Sequence, residues 1–307
     1  MSQSRKLDRA SVAAIWNSTD PIQSLARQFG VHRRVIQRIK RRETYADWLP
    51  GPTSGYYLGD ALTFMRSLPA GYCPTIFTSP PYNLRTRKRT NSGKDGKWAS
   101  TFMAGDSDGY DGFTDDLPPA EYEIWQRHFL TECARVVGPA GVVVYNHKPR
   151  AQNGIMDLRY EIIRDIPGLP LRAMVVWDKL NTHQLGGETM LRPPDTYELL
   201  YVLAADGWQI PRLSKPLVRK WRAVWQIPRD QKNPHPAPFP LELARRAIAF
   251  GEGRVLDPFA GSGTTLLAAQ EAGRDYLGVD LSEKYRGYYL ERLADRAPRS
   301  ACFCWGS

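Results

Sequence analysis

Apolar and polar positions along the 307-residue chain follow two different periods, and the change of period divides it. Near the N-terminus the spacing is helical. Residues 9–16 read as one helix and 21–29 as a second, with Ile22, Leu25, Ala26 and Phe29 recurring on one face. Asp20 is a good N-cap for that helix and Pro21 suits its first position. Gly30 ends it, and Val31 follows as a buried turn residue. A third helix, from His32 to about Arg42, carries Val35, Ile36 and Ile39 on one face. Arg33, Arg34, Gln37, Arg38, Lys40 and Arg41 occupy its other faces.

From residue 56 onward, short apolar runs alternate with helical segments. Strands are predicted at 56–58, 74–78, 141–145, 171–177, 197–203, 254–256 and 276–279. Helices are predicted at 60–68, 119–136, 241–250, 264–272 and 282–294. This alternation implies an α/β domain around a mainly parallel sheet. Residues 83–118 show no period; the segment is basic at first and acidic later, and a stretch this long is a functional or a disordered loop. The pentapeptide Trp-Gln-Ile-Pro-Arg occurs at 208–212 and again at 225–229, and both copies read as strand-like. The expected organisation is a small helical domain over 1–46, a main domain over 47–296, and a tail over 297–307.

Composition adds a partner and excludes some chemistry. The 9 Trp, 15 Tyr and 10 Phe, within 42% hydrophobic residues, support a sizeable core. No apolar run approaches a membrane span, and no apolar stretch follows the first residues, so a cytoplasmic, membrane-free protein is expected. The four cysteines are scattered. The Cys302-x-Cys304 pair has poor zinc spacing, so no metal is expected. The net charge is +10, and residues 1–46 alone hold ten Lys/Arg against three Asp/Glu. Such a concentrated positive charge suits a polyanion.

Two short motifs carry the candidate chemistry. Thr78-Ser79-Pro80-Pro81-Tyr82 closes the apolar run 75–77. Two prolines remove two N–H donors and fix two φ angles, which makes a stiff corner. With a hydroxyl before it and an aromatic ring after it, the corner can hold a flat polar group; taken alone, it also fits an ordinary strand-ending turn. The second motif, Asp257-Pro-Phe-Ala-Gly-Ser-Gly-Thr-Thr265, is a strand–glycine turn–helix crossing. Its glycines allow close approach of a ligand, and the helix start offers free N–H groups. No Gly-Lys-Ser/Thr follows, so it is no phosphate loop. Asp280, at the end of the next strand, is placed to bind ribose hydroxyls. Leu266 stands where a dinucleotide site would want a third glycine.

Together these motifs resemble those of the S-adenosylmethionine-dependent DNA amino-methyltransferases, with the order of the β class: catalytic motif early, cofactor motif late. Further stretches resemble the same family. Leu58-Gly59-Asp60 matches a motif whose acidic residue meets the cofactor adenine. Trp177-Asp178-Lys179 and Tyr197-Glu198 match motifs flanking the target-base pocket. His235-Pro-Ala-Pro-Phe239-Pro240 matches one packing on the methionine end of the cofactor. The likeness spans about residues 55–292 and implies a Rossmann-like fold with S-adenosyl-L-methionine as cofactor. The implied cofactor residues are Asp60, His235, Phe239, Pro240, Asp257, Phe259, Gly261, Gly263, Thr264 and Asp280. Separately, the order Ala26, Gly30, Val31, Ile36, Ile39 resembles the helix-turn-helix family, whose basic helix face contacts DNA. That likeness assigns DNA contact to Arg33, Arg34, Gln37, Arg38, Lys40 and Arg41.

By resemblance, the catalytic residues are Ser79, Pro80, Pro81 and Tyr82. Ser79 and the Pro80 carbonyl accept the two amino N–H groups of a flipped base, and Tyr82 stacks on it. No cysteine sits in a motif suited to carbon-5 methylation. Serine in the first position favours N4 of cytosine, with N6 of adenine as the alternative; a ligand-sensing regulator and an RNA or protein methylase are weaker readings. Double-stranded DNA is the implied partner, with target-recognition elements expected in the 83–118 loop and within 180–232, a restriction endonuclease the functional partner, and the chain a monomer or homodimer.

Overall fold

The computed structural model describes residues 7–18, 20–40, 53–83, 110–111, 115–152, 155–180, 196–211 and 222–296. The expected basic half of the 83–118 loop, the stretch 181–195, Arg41, Cys302 and Cys304 lie outside the described residues.

The N-terminal helices are α1 (Arg9–Asn17), α2 (Ile22–Phe29) and α3 (Arg33–Lys40). Val12, Ile15, Leu25, Ile36 and Ile39 are buried together, so the predicted apolar faces form a small core. Asp8, which the sequence did not single out, caps α1 by accepting from the Ser11 N–H at 2.7 Å. Asp20 does not cap α2 as expected. Its own N–H donates to Ser18 Oγ at 3.0 Å, a local turn that holds it outside the helix, and Pro21 becomes the boundary residue. Gly30 ends α2 in the left-handed conformation, φ 62°, as its lack of Cβ permits.

The main sheet has eight strands: β1 (Gly55–Leu58), β2 (Thr75–Thr78), β3 (Val142–His147), β6 (Leu171–Asp178), β7 (Tyr197–Ala204), β8 (Val224–Gln226), β9 (Val255–Asp257) and β10 (Tyr276–Asp280). A separate hairpin, β4 (Arg150–Gln152) with β5 (Ile155–Asp157), follows β3. The spatial order is β1-β10-β9-β2-β3-β7-β6-β8. The pairings from β1 through β3, and β6 with β8, are parallel; β7 runs antiparallel to both β3 and β6. The remaining helices are α4 (Ala61–Ser67), α5 (Pro119–Val137), α6 (Tyr160–Ile163), α7 (Leu241–Ile248), α8 (Thr264–Glu271) and α9 (Glu283–Ala294).

Both faces of the sheet are covered, which explains the unbroken apolar run in β3. Val143 and Tyr145 join one core with Ile76, Leu256 and residues of α4 and α5, while Val142 and Val144 join another with Phe77, Val255 and residues of α7 and α8. The first Trp-Gln-Ile-Pro-Arg copy is not a strand over 208–211; only the second forms one, β8. Their packing differs. Trp208 is half-buried and donates from Nε1 to the Phe250 carbonyl, whereas Trp225 is fully buried beside β6. The β4–β5 hairpin and α6 were not anticipated, being too short to show a period.

Candidate active site

Strands β2 and β9 are neighbours, with Thr75 beside Val255 and Ile76 beside Leu256. The chain leaves β2 toward β3 on one side, while β9 and β10 lie on the other. This is the switch point at which open α/β sheets bind ligands, outside the carboxyl ends of the strands. The pairing brings Ser79 and the glycine turn to the same edge although they are far apart in sequence.

A cavity of about 520 Å³ opens there, within the range typical of small-molecule sites. Of the sequence-predicted residues, Asp60, Ser79, Pro81, Tyr82, His235, Phe239, Phe259, Gly261, Thr264 and Asp280 line it, as do Trp177, Lys179 and Glu198 from the stretches matched to the target-base pocket. Pro80, Pro240, Asp257 and Gly263 do not. Asp257 is completely buried: Oδ1 accepts from Thr78 Oγ1 at 2.9 Å and Phe259 N at 3.1 Å, and Oδ2 from Thr265 Oγ1 at 2.6 Å. Its carboxylate braces the glycine turn against the end of β2 rather than facing a ligand. Burial pushes this carboxyl up to about 6, with the three hydrogen bonds opposing. Gly263 sits under Tyr289, where an added Cβ would come within 2.2 Å of the ring. Pro240 starts α7, and Pro80 is buried.

The glycine turn is held from several directions. Gly261, φ 49°, donates its N–H to Asp280 Oδ2 at 2.9 Å, while its carbonyl accepts from Tyr56 of β1 at 2.8 Å. Arg292 of α9 donates to the Ser262 carbonyl and to Thr264 Oγ1. Asp280 Oδ1 accepts from Ser282 N at 2.9 Å, and burial raises the Asp280 carboxyl above its usual value despite these bonds. Asp60 caps α4, its Oδ1 accepting from the N–H and hydroxyl of Thr63. The His235 ring meets Tyr285 edge-on at 4.4 Å, and burial brings its pKa down to about 4, so it is neutral near pH 7. Phe239 packs on Phe77 at 4.9 Å.

Around Ser79 the structure assembles side chains that no motif grouped. Ser79 Oγ lies 2.6 Å from Tyr82 Oη. Tyr82 Oη is 3.1 Å from Glu198 Oε2, and Asn146 Nδ2 donates to both of these atoms at 2.9 Å. Lys179 Nζ pairs with Glu198 Oε1 at 2.5 Å. Burial alone would raise the Glu198 carboxyl, but the Lys179 ammonium and the Asn146 amide hold it below the usual carboxylate value. Burial and the Glu198 charge keep the Tyr82 phenol protonated, well above its ordinary pKa. The Tyr82 ring leans on the His147 ring at 4.7 Å. Tyr122 of α5 donates toward the Pro81 carbonyl at 2.7 Å and also meets His147 Nε2, fixing the corner from below. Asn83, at φ 57°, ties the end of the corner to residues 115–117: its N–H donates to Asp115 Oδ1, and its amide exchanges two bonds with the Leu117 backbone.

Asn146, Tyr122 and the cavity residues Trp125, Tyr110 and Tyr285 were missed by sequence reasoning. The signal for Asn146 was the polar pair Asn146-His147 ending an otherwise apolar strand; the others sit singly on helices or loops and carry none. Of the predicted DNA-contacting residues, Arg33, Arg34 and Arg38 are exposed on α3, Gln37 is half-buried, and Lys40 ends the helix.

Comparison with known proteins agrees with this geometry. A DNA methylase family profile, that of the N6 and N4 methylases, matches residues 74–291. The chain is 28% identical over 297 residues to the Type II methyltransferase M.Cfr9I of Citrobacter freundii, covering 84% of this chain and 92% of that one. It is 25% identical to M.ScaI of Streptomyces caespitosus over 94% of its length and 95% of the relative's. A Thermus thermophilus structure, described as a DNA modification methylase complexed with S-adenosyl-L-methionine, superposes with a TM-score of 0.59 at 25% identity, covering 80% of this chain and 96% of the other. The cytosine-N4-specific PvuII DNA methyltransferase shares the fold, with a TM-score of 0.62 at 20% identity over 81% of this chain and 89% of that one. With a profile matching well over half its length and the strand order, glycine turn and Ser-Pro-Pro-Tyr corner all in place, this chain belongs to the N6/N4 DNA methylase family.

Proposed function

We propose that this chain transfers a methyl group from S-adenosyl-L-methionine to the exocyclic amino nitrogen of a base flipped out of double-stranded DNA, at N4 of cytosine. The observation that carries the reading is that Ser79 and the Gly261–Asp280 turn line one cavity. The donor set fits the cofactor. Asp280 and Asp60 offer carboxylates to hydroxyl and amino donors, Phe259 and Trp125 offer flat apolar walls, and the close approach at Gly261 leaves no room for a side chain, since an added Cβ would lie 3.0 Å from His235 Nε2. When bound, S-adenosyl-L-methionine supplies an electrophilic sulfonium methyl group.

The protein's task is to present a nitrogen whose lone pair is otherwise delocalised into the base ring. Ser79 Oγ accepts one amino N–H, and the Pro80 carbonyl next to it in the chain accepts the other. Two acceptors placed this way favour a pyramidal nitrogen with its lone pair turned to the methyl group. Because Ser79 reaches the cavity wall and Pro80 is buried, Ser79 carries more of the argument. Removing the base from the stack costs a few kcal/mol, and the walls of the cavity then exclude water from the transfer. Serine, rather than aspartate, at position 79 supports cytosine as the target. Nucleoside mass spectrometry of DNA from cells expressing the chain tests this: N4-methylcytosine is expected, and N6-methyladenine in its place would overturn the base assignment.

The exposed Arg33, Arg34 and Arg38 on α3 support a second DNA contact through the N-terminal helices. Truncation after residue 46 should weaken DNA binding and lower its salt dependence; unchanged affinity and salt slope would refute that role.

A further inference from the structure

The Ser79 hydroxyl is the end of a hydrogen-bonded chain whose direction can be worked out by counting protons. Glu198 can only accept when ionised, and it is surrounded by donors: Lys179 at Oε1, and Asn146 Nδ2 and Tyr82 Oη at Oε2. The Tyr82 proton is therefore committed to Glu198. Asn146 has two amide protons, and the acceptors at 2.9 Å, Glu198 Oε2 and Tyr82 Oη, use both. Only Nδ2 can face a carboxylate, so Asn146 Oδ1 is left buried without a partner among the described residues. That orphaned acceptor is what an anion dictating the amide's orientation would leave behind. With its own proton spent, Tyr82 Oη can only accept at its 2.6 Å contact with Ser79, so the Ser79 proton points inward to Tyr82. Asn146 Nδ2 approaches Ser79 Oγ only at 3.4 Å, farther than its two acceptors at 2.9 Å, so at least one Ser79 lone pair is left for a further donor.

We infer that Glu198 and the Tyr82 hydroxyl are positioning residues: they polarise Ser79 so that it meets the target amino group as an acceptor. A serine hydroxyl can otherwise rotate and present its proton, which would repel an amino N–H. The chain Glu198–Tyr82–Ser79 removes that option before DNA arrives, and Lys179 keeps its far end charged. Tyr82 thus has a task for its oxygen that is separate from any stacking by its ring. The inference rests on the reading of Ser79 as the amino-group acceptor.

The test compares Tyr82→Phe, Glu198→Gln and Ser79→Ala. Methyl transfer from tritiated S-adenosyl-L-methionine to unmethylated plasmid DNA is followed under single-turnover and steady-state conditions. Cofactor binding is measured by calorimetry and DNA binding by gel shift. Losing a hydrogen bond in a charged chain should slow transfer by about 10- to 100-fold in Tyr82→Phe. KM for DNA and cofactor affinity should not change, because the phenyl ring still lines the cavity. Glu198→Gln should slow transfer similarly; since it also leaves Lys179 buried without its anion, Tyr82→Phe is the deciding variant should Glu198→Gln fail to fold. A full single-turnover rate in Tyr82→Phe, or a loss confined to KM for DNA, would overturn the inference. If Ser79→Ala is slow while Tyr82→Phe is fast, only the polarising chain fails. If Ser79→Ala keeps the full rate, the assignment of Ser79 itself fails.

Discussion

Asp257 provides a quantitative check on how the two halves of the site are joined. Its carboxylate takes three hydrogen bonds, from Thr78, Thr265 and the Phe259 backbone, and is completely shielded from water. Burial raises its pKa from 3.8 to about 6. A folded-state value above the unfolded one means that the folded protein holds this proton more tightly. The stability contributed by that proton is full below the unfolded value of 3.8 and is lost as pH rises through about 6. The gap between the two values corresponds to about 3 kcal/mol, of which about 2 kcal/mol falls between roughly pH 4.5 and 7.5. Asp257→Asn keeps the shape and can still serve the threonine hydroxyls, but it cannot titrate. The stability of the wild type minus that of the variant should therefore fall by about 2 kcal/mol across that interval. Urea unfolding followed by tryptophan fluorescence at several pH values measures it, and the difference cancels other titrating groups. A difference that stays flat or rises with pH would refute the burial argument.

Three further outcomes are expected. Gly261→Ala adds a Cβ at φ 49° and 3.0 Å from His235 Nε2, and should weaken S-adenosyl-L-methionine binding by about tenfold in calorimetry, equivalent to about 1.4 kcal/mol. Asp280→Asn removes the charge from the carboxylate beside Gly261 and should weaken the same binding by at least about tenfold, the usual effect of losing a charge-assisted hydrogen bond. Lys179→Met leaves Glu198 buried without its cation and should cost about 3–5 kcal/mol of stability in urea unfolding, with Lys179→Met/Glu198→Gln recovering most of it.

The catalytic corner and the glycine turn were legible because each is continuous in sequence and built from residues with unusual backbone demands. Prolines and glycines announce such places whatever the rest of the fold does. The polarising chain was not legible. Lys179, just after β6, and Glu198 on β7 stood in stretches whose likeness put them near the target-base pocket, but Asn146 on β3 matched no motif, and nothing local to any of the three joins them to Ser79. Asp60 and Asp257 show the converse. Both stand in readable motifs, yet one also caps a helix and the other faces into the protein.

The sequence by itself determined the alternation of strands and helices, the two motifs, the basic N-terminal helices and, through the order of its motifs, the family. These depend on local period, backbone chemistry and charge, which neighbours along the chain express. Only the tertiary structure decided which side chains share the cavity. The pairing of β2 with β9 places Ser79 beside the glycine turn. The antiparallel register of β7, with Asn146 opposite Leu200 and Trp177 opposite Glu198, brings an amide and a lysine-paired carboxylate to the Tyr82 hydroxyl that meets Ser79. Register is set by how whole faces of a sheet bury against their helices, a condition no local stretch of sequence contains.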